Sequence, residues 1–523
     1  MLEAFPPQLW NRSTAAHLLK RAGFGTSPEQ LDLWTSLGLD TAVDRLVDWE
    51  LTEDPTAEPD WAQPAFGYPF QNKKELQGLS EDERRELFKE YQKTQRKNSQ
   101  DLRERWLNRF LTTPRPLQEK LTLFWHGHFA TSIRKVKISY FMWKQLDLFR
   151  RFGNGSYENL LMEVARDPAM LIWLDGTDSN DKAPNENFAR ELMELFTLGE
   201  GHYTEEDVKE SARAFTGWRV DRFSQTATFN PKRSDRGSKK FLGQRGSFND
   251  QDIIRIILQQ EQAAQHICTK LWTFFAYENP SPQLMEALAA TFRESKMELK
   301  PLLKKLFRSQ EFYSAQALNN QIKSPVQWWV SSLKNIASHS PATHLGTRIL
   351  TQLGQSLLEP PSVKGWDGGR TWISTSTLML RHNTAHYMLY GGTAAELGIG
   401  DNFKRLAFAN QAKKINPEPT TVAPNTEMEE QPTPEPTTKL ANKLLNRSMP
   451  ALTELAQLAP PELRLDRSKL INTLSERFLQ NIPDPKLSAF LENSLPQKSE
   501  PVTDQELKKL LYQIMTRPEY QLT

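Results

Sequence analysis

Apolar residues recur three and four positions apart along most of the chain, the spacing that lines one face of an α-helix. Leu117, Leu121, Phe124 and His128 share one such face, and Pro116 to His126 is predicted as a helix. Ile138 to Arg151 predicts the next, closed by Gly153, and a third begins after Ser156 and stops before Pro168. Ser27 followed by Pro28 is a start signal, with Gln30 placed for a capping box. Thr204 with Asp207 opens a further helix through "VKESARAFTG", expected to end near Gly217. Helical periodicity resumes at Asn249 and runs, with proline interruptions, to about Ser338. The fold class these patterns predict is mainly α, a large multi-helical scaffold.

Three stretches break or bend that rhythm. Between 218 and 248, alternation in "TATF" and scattered glycines predict a small β-hairpin or irregular excursion. Its bases Lys232, Arg233, Arg236, Lys239, Lys240 and Arg245 fall in a basic loop, 230–245, which reads as solvated rather than phosphate-binding because no aromatic residues interleave them. Leu79 to Leu111 is dense in Glu, Lys, Arg and Gln, with Leu87, Tyr91, Leu102, Trp106 and Phe110 as anchors, and predicts a long solvated helical arm. Ile415 to Thr438 carries prolines, threonines and acids with little apolar content, the composition of a disordered linker. The expected organisation is a main helical domain over 1–414 that includes the arm at 79–111, the linker at 415–438, and C-terminal helices over 439–523 that pack back on the main domain.

Composition narrows the partners. With 523 residues, 38% hydrophobic, 14 Trp and 27 Phe, the chain has material for a substantial core. Lys and Arg total 66 against 64 Asp and Glu, which leaves no general electrostatic case for nucleic acid or an anionic membrane. A protein partner, through the charged arm or the linker, is the remaining expectation. The one cysteine, Cys268, excludes an intramolecular disulfide and a four-cysteine zinc site, and its apolar helical setting reads as a buried structural thiol. The first residues lack a secretory signal's basic head and apolar run, and no later run is long enough to span a bilayer, so the expected compartment is the cytoplasm.

Candidate chemistry concentrates in two segments. "TLFWHGHFATS" sets His126 and His128 two residues apart. On a continuous helix they point about 200° apart and cannot share an ion. Only if Gly127 ends the helix, or the segment is extended, can both imidazoles turn to one divalent metal, which would then need carboxylates such as Glu191 or Glu194. Ordinary packing of both rings is the competing and favoured reading. In "PNENFARELMELFTLGEGHYTEEDV", Phe188, Leu192, Leu195 and Phe196 form an apolar face, while Asn187, Arg190, Glu191 and Glu194 form a separate polar stripe. A charged stripe of this kind usually faces water.

Weaker signals have structural readings. Gly23 and Gly25 before the Ser27 cap suggest an anion-binding nest or a plain turn, the turn being favoured. His382 and His386 share a helical side with no third ligand, and "DGTDSND" lacks the glycine placement and terminal glutamate of a calcium loop. There is no Walker A loop, dinucleotide fingerprint or nucleophile elbow.

The segments "HLLKRAGFG", "LTLFWHGHFATS", "DPAMLIWLDG", "PNENFARELMELFTLGEGHYTEEDV", "ARAFTGW", "KSPVQWWV" and "PPSVKGWDGGRTW" occur in order between Ser13 and Tyr387, with "TRPEYQ" near the end. Together they resemble the bacterial family catalogued as domain of unknown function 1800. The resemblance implies a large, mainly helical protein and carries no established reaction. The family's characteristic segments fall on His126, His128, Asn185, Glu186, Asn187, Arg190, Glu191 and Glu194. Where the family usually has a histidine beside an aspartate, this chain has Ser234 before Asp235. Export signals common in the family keep a periplasmic location open.

Two functional expectations follow. The first is an enzyme-like polar site, a metal-dependent hydrolase or oxidoreductase in type. There His126, His128 and Glu191 would be metal ligands or a base, Glu191 and Glu194 acid/base groups, Arg190 an anion holder and Asn187 a further catalytic residue. The second is a noncatalytic binding or assembly scaffold in which Arg190 and the glutamates form a structural ion-pair network.

Overall fold

The computed structural model describes residues 2–523 apart from 71, 222, 339, 394–396, 398–448, 480–484 and 496–499. The linker expected at 415–438 lies outside the described residues. The fold is mainly helical, and its only sheets among the described residues are two short antiparallel hairpins, Trp218–Asp221 with Thr226–Phe229 and Lys239–Phe241 with Gln244–Gly246. Both fall within the excursion expected at 218–248.

The chain divides into two compact units, the first Met1–Ser331, Pro341–Gly369 and Leu522–Thr523, the second Ser332–Ser340 and Arg370–Gln521. In the second, helices Thr375–Tyr390, Arg467–Leu479 and Asp504–Met515 bury Leu470, Leu474, Phe478, Leu510 and Ile514. His386 is exposed there and stacks on Tyr390, with ring centroids 4.5 Å apart.

In the first unit the helix Pro116–His128 is buried from Leu117 to His126. One buried acid inside this helix is satisfied locally. The buried Glu119 carboxylate accepts from Trp106 Nε1 (3.0 Å), Arg109 (2.7 Å) and Arg150 (2.8 Å), and the two guanidiniums outweigh burial and hold its pKa below the usual carboxylate range. The helix Ser139–Phe152 packs alongside and ends at Gly153, whose carbonyl accepts from Trp125 Nε1 at 2.9 Å.

The stretch expected as a solvated arm is one 32-residue helix, Glu81–Thr112, opened by a Ser80/Glu83 capping box. Its first turns are largely solvated, and later one face stays exposed at Arg96, Lys97 and Arg105. From Gln95 onward it enters the core, because the polar side chains that face inward find partners: Gln95 Oε1 accepts from the Ser139 amide at 2.8 Å, and Ser99 Oγ lies 3.0 Å from Ser139 Oγ. Trp106, Leu107 and Phe110 are sealed beyond them.

Helix Glu261–Phe275 turns Ala263, Ala264, Ile267, Cys268, Leu271 and Trp272 inward, the expected apolar stripe with Cys268 buried in it. That arrangement leaves His266 and Lys270, four residues apart, on the opposite side of the helix.

Candidate functional site

The helix that begins at Glu186 does not run uniformly. After Glu191 it widens into a π-helical turn, Leu192–Thr197, and the Leu198 amide donates to Met193 O at 2.8 Å, five residues back. Such a turn leaves carbonyls at its end without amide partners. Side chains from distant helices supply the donors. His266 Nε2–H donates to Leu195 O (2.9 Å), His128 Nε2–H to Phe196 O (3.2 Å), and Tyr157 Oη–H also to Phe196 O (2.5 Å).

Because Nε2 carries the proton in each ring, Nδ1 is left with its lone pair. The two rings lie 6.3 Å apart, centroid to centroid. Desolvation holds both neutral: it lowers the His266 pKa to about 4, and with repulsion from His266 and Lys270 it puts His128 well below the ordinary value. Gly199, at φ +85°, passes so close that a Cβ there would sit 3.3 Å from His266 Nδ1.

On the preceding turn, Glu191 is half-buried, and its pKa is raised first by burial and then by the neighbouring Glu194 carboxylate, against the pull of Lys364 and Arg190. Glu194 accepts from Tyr203 Oη–H at 3.0 Å. Burial and that hydrogen bond push the phenol up to about 12, so it stays a donor. Lys364 also interacts with Lys270, whose pKa is lowered by partial desolvation and then by Lys364. Two carboxylates, a phenol, two lysines and two neutral imidazoles thus surround one irregular helical turn.

Lys364 comes from the Pro- and Gly-rich loop after Glu359. Trp366 of that loop lies against Gly127, and Gly365, at φ +81°, passes so near that a Cβ there would collide with the Gly127 carbonyl oxygen. Close approach of two glycine backbones therefore fixes where Lys364 stands.

A sequence profile of the family described as "Protein of unknown function (DUF1800)" matches residues 17–522, nearly the whole chain. The chain belongs to this family. No curated protein and no solved structure matches it.

Within the DUF1800 fold the expected site residues part company. The helix does not end at Gly127 but runs through His128, so the condition for His126 and His128 to face one ion is not met. His126 is fully buried between Trp106 (5.5 Å, edge-on) and Trp366 (5.7 Å), with both ring nitrogens unpartnered, and desolvation lowers its pKa to about 3. Arg190 forks onto Glu205 (2.6 and 2.9 Å) and reaches Glu186 at 3.3 Å. It staples its helix to the Glu205–Ala214 helix. Asn187 is exposed. Among the described residues, no group of three or more His, Cys, Asp or Glu side chains is placed to hold a metal ion.

The residues that do join Glu191 and Glu194 were not singled out from the sequence: Tyr203, His266, Lys270 and Lys364. The usable signals were the four-residue spacing of His266 and Lys270 and the lone base in "PPSVKGW". Asp235, beside the departing Ser234, is bound by Arg213 (2.7 and 3.2 Å) and Lys239 (3.4 Å). Part of the basic loop is therefore tied down rather than solvated. Asn185 donates to Leu174 O and Asp175 O, so the "DGTDSND" segment is held as a turn.

Proposed function

We propose that DUF1800 residues Glu191 and Glu194, with Tyr203, Lys270 and Lys364, form an acid–base site that acts hydrolytically on a small anionic substrate. The observation that carries this reading is Glu191: a half-buried carboxyl, its pKa raised by burial and by a second carboxylate, at the entry to a π-helical turn. Paired carboxyls in unequal environments are how one site holds a proton donor beside an ionised partner. Glu191 takes the donor role. Glu194, which accepts from Tyr203, orients water or substrate. The two lysines provide the attraction for an anion, and Lys270 loses repulsion when one binds. The neutral Nδ1 atoms of His128 and His266 are left to act as hydrogen-bond acceptors.

The test is turnover and calorimetric binding of small phosphate, sulfate and carboxylate esters by wild type, Glu191→Gln and Lys364→Met. Loss of an acid–base group is expected to slow turnover about 100-fold or more without lowering the unfolding temperature. Lys364→Met is expected to weaken binding chiefly. Equal behaviour of wild type and Glu191→Gln toward every substrate that is turned over, or no turnover and no binding at all, defeats the proposal. Elemental analysis of the natively purified protein decides the metal question, since a stoichiometric divalent ion would add a Lewis acid to the same site. The scaffold reading draws support from the Arg190 fork onto Glu205 and gains if Arg190→Met alone disturbs only stability.

A further inference from the structure

The helix Arg12–Arg21 ends in bases that would ordinarily face water beside its C-terminus. Instead Lys20, Arg21 and Lys120 are 7%, 1% and 8% exposed, with His17 and Lys323 also sealed at 1% each. Arg21 Nη2 reaches Ala317 O at 2.5 Å, but its Nε and Nη1 are buried with no partner. The Lys120 ammonium has one polar contact, the neutral Gln327 Oε1 at 2.5 Å, and otherwise lies over the Phe24 ring at 4.8 Å and the Phe274 ring at 5.5 Å. The nearest acid in sequence, Glu119, is already taken by Arg109 and Arg150. No carboxylate among the described residues is paired with Lys20, Arg21 or Lys120.

Buried charge without a counter-charge is among the costliest arrangements in a protein, and such groups are normally paired or neutralised. Arg21 is an especially poor candidate for neutralisation because guanidinium holds its proton tenaciously. The unmet requirement is an acceptor-rich group of negative charge. We infer that Arg21 and Lys120, with Lys20 nearby, enclose a small tetrahedral oxyanion of the phosphate or sulfate class.

The same burial, with mutual repulsion, disfavours the charged lysines, and an enclosed anion would relieve both. Desolvation and then Arg21 bring the Lys120 pKa down to about 7, and desolvation and then Lys323 lower Lys20. The Gly25 amide is not the donor, since it is bonded to Leu19 O at 3.1 Å, and Ser27 Oγ already caps the Gln30 amide at 3.3 Å. The turn reading of Gly23 and Gly25 therefore stands, and the anion is held by side chains instead of a backbone nest. A group closed off to this degree is a resident of the fold, distinct from the ligand proposed near Glu191.

The full chain, purified in chloride buffer free of phosphate and sulfate, is denatured in acid, and the released ions are identified by ion chromatography and mass spectrometry. About one equivalent of phosphate, sulfate or an organic phosphate per chain is the expected result, and its identity separates a free ion from the same group on a larger molecule. Protein unfolded in urea, freed of oxyanions by dialysis and refolded in chloride buffer should show a saturable rise in unfolding temperature of about 2 °C or more when phosphate or sulfate is added far above its Kd at constant ionic strength. Lys120→Met should remove that response. No released oxyanion together with a response no larger than chloride gives, or an undiminished response in Lys120→Met, overturns the inference. Should Lys120→Met fail to fold, Arg21→Lys serves, because it keeps the charge and removes the fork.

Discussion

The fold around Glu191 disfavours the ionised carboxylate. Its folded pKa is raised, by burial first and by Glu194 second. For an acid the sign is direct: below its unfolded pKa, about 4.3, it is protonated in both states and costs nothing, and as pH rises through the folded value the ionised form destabilises the fold. Glu191→Gln should therefore raise the denaturant midpoint at pH 7 to 8 and leave it unchanged near pH 4. Urea titrations at the two pH values check this, and a lower midpoint at neutral pH would mark Glu191 as a structural partner instead. Arg190 makes the contrast. Its partner Glu205 is exposed and Glu186 partly so, the pairs are screened by solvent, and loss of Arg190 should be mild.

At the scale of elements, the site depends on two backbones that touch. Gly365 lies at φ +81° over the Gly127 carbonyl, whereas a Cβ on Gly127 itself would meet only Trp366, at an ordinary 3.7 Å. Gly365→Ala should destabilise by more than about 1 kcal/mol and displace Lys364, through strain and collision together. Gly127→Ala should be neutral or stabilise by up to about 1 kcal/mol, because alanine is the better helix residue. Thermal unfolding of both variants decides it, and equal effects would mean that the loop does not rest on this contact. The same comparison explains what was legible in the sequence. Caps such as Thr204 with Asp207, and stops such as Gly153, are local and could be read directly. The 200° rule already separated His126 from His128 if the helix ran on, and it does. The π turn was hidden because Leu192, Leu195 and Phe196 keep an acceptable helical spacing whichever way the turn closes. His266, Lys270 and Lys364 were hidden because only tertiary packing brings them to residues 191–203. Lys20 and Arg21 read as ordinary helix-end bases, and nothing local reveals that they are sealed.

For the molecule as a whole, buried neutral bases set the response to acid. In the first unit His17, His126, His128 and His266 all have lowered pKa values, with desolvation the largest cause in each. Unfolding exposes these imidazoles to protons they do not take when folded, so stability they contribute above about pH 6.5 is lost as pH falls toward 4. Asp167 works the other way. Burial raises its pKa to about 7 although Gln145 Nε2 (2.8 Å) and the Met170 amide (3.0 Å) donate to it, so over the same range the folded state binds a proton that the unfolded state does not. Each net proton is worth about 1.4 kcal/mol per pH unit, and four histidines outweigh the opposing Asp167 and Glu191. The urea midpoint followed by tryptophan fluorescence should therefore fall between pH 7 and pH 5. Asp167→Asn keeps an oxygen acceptor for the Met170 amide but removes the opposing proton, so its midpoint should fall more steeply than wild type over that interval. A flat wild-type profile would mean that the imidazoles are protonated in the fold, and an unchanged slope in Asp167→Asn would mean that the Asp167 carboxyl is ionised there.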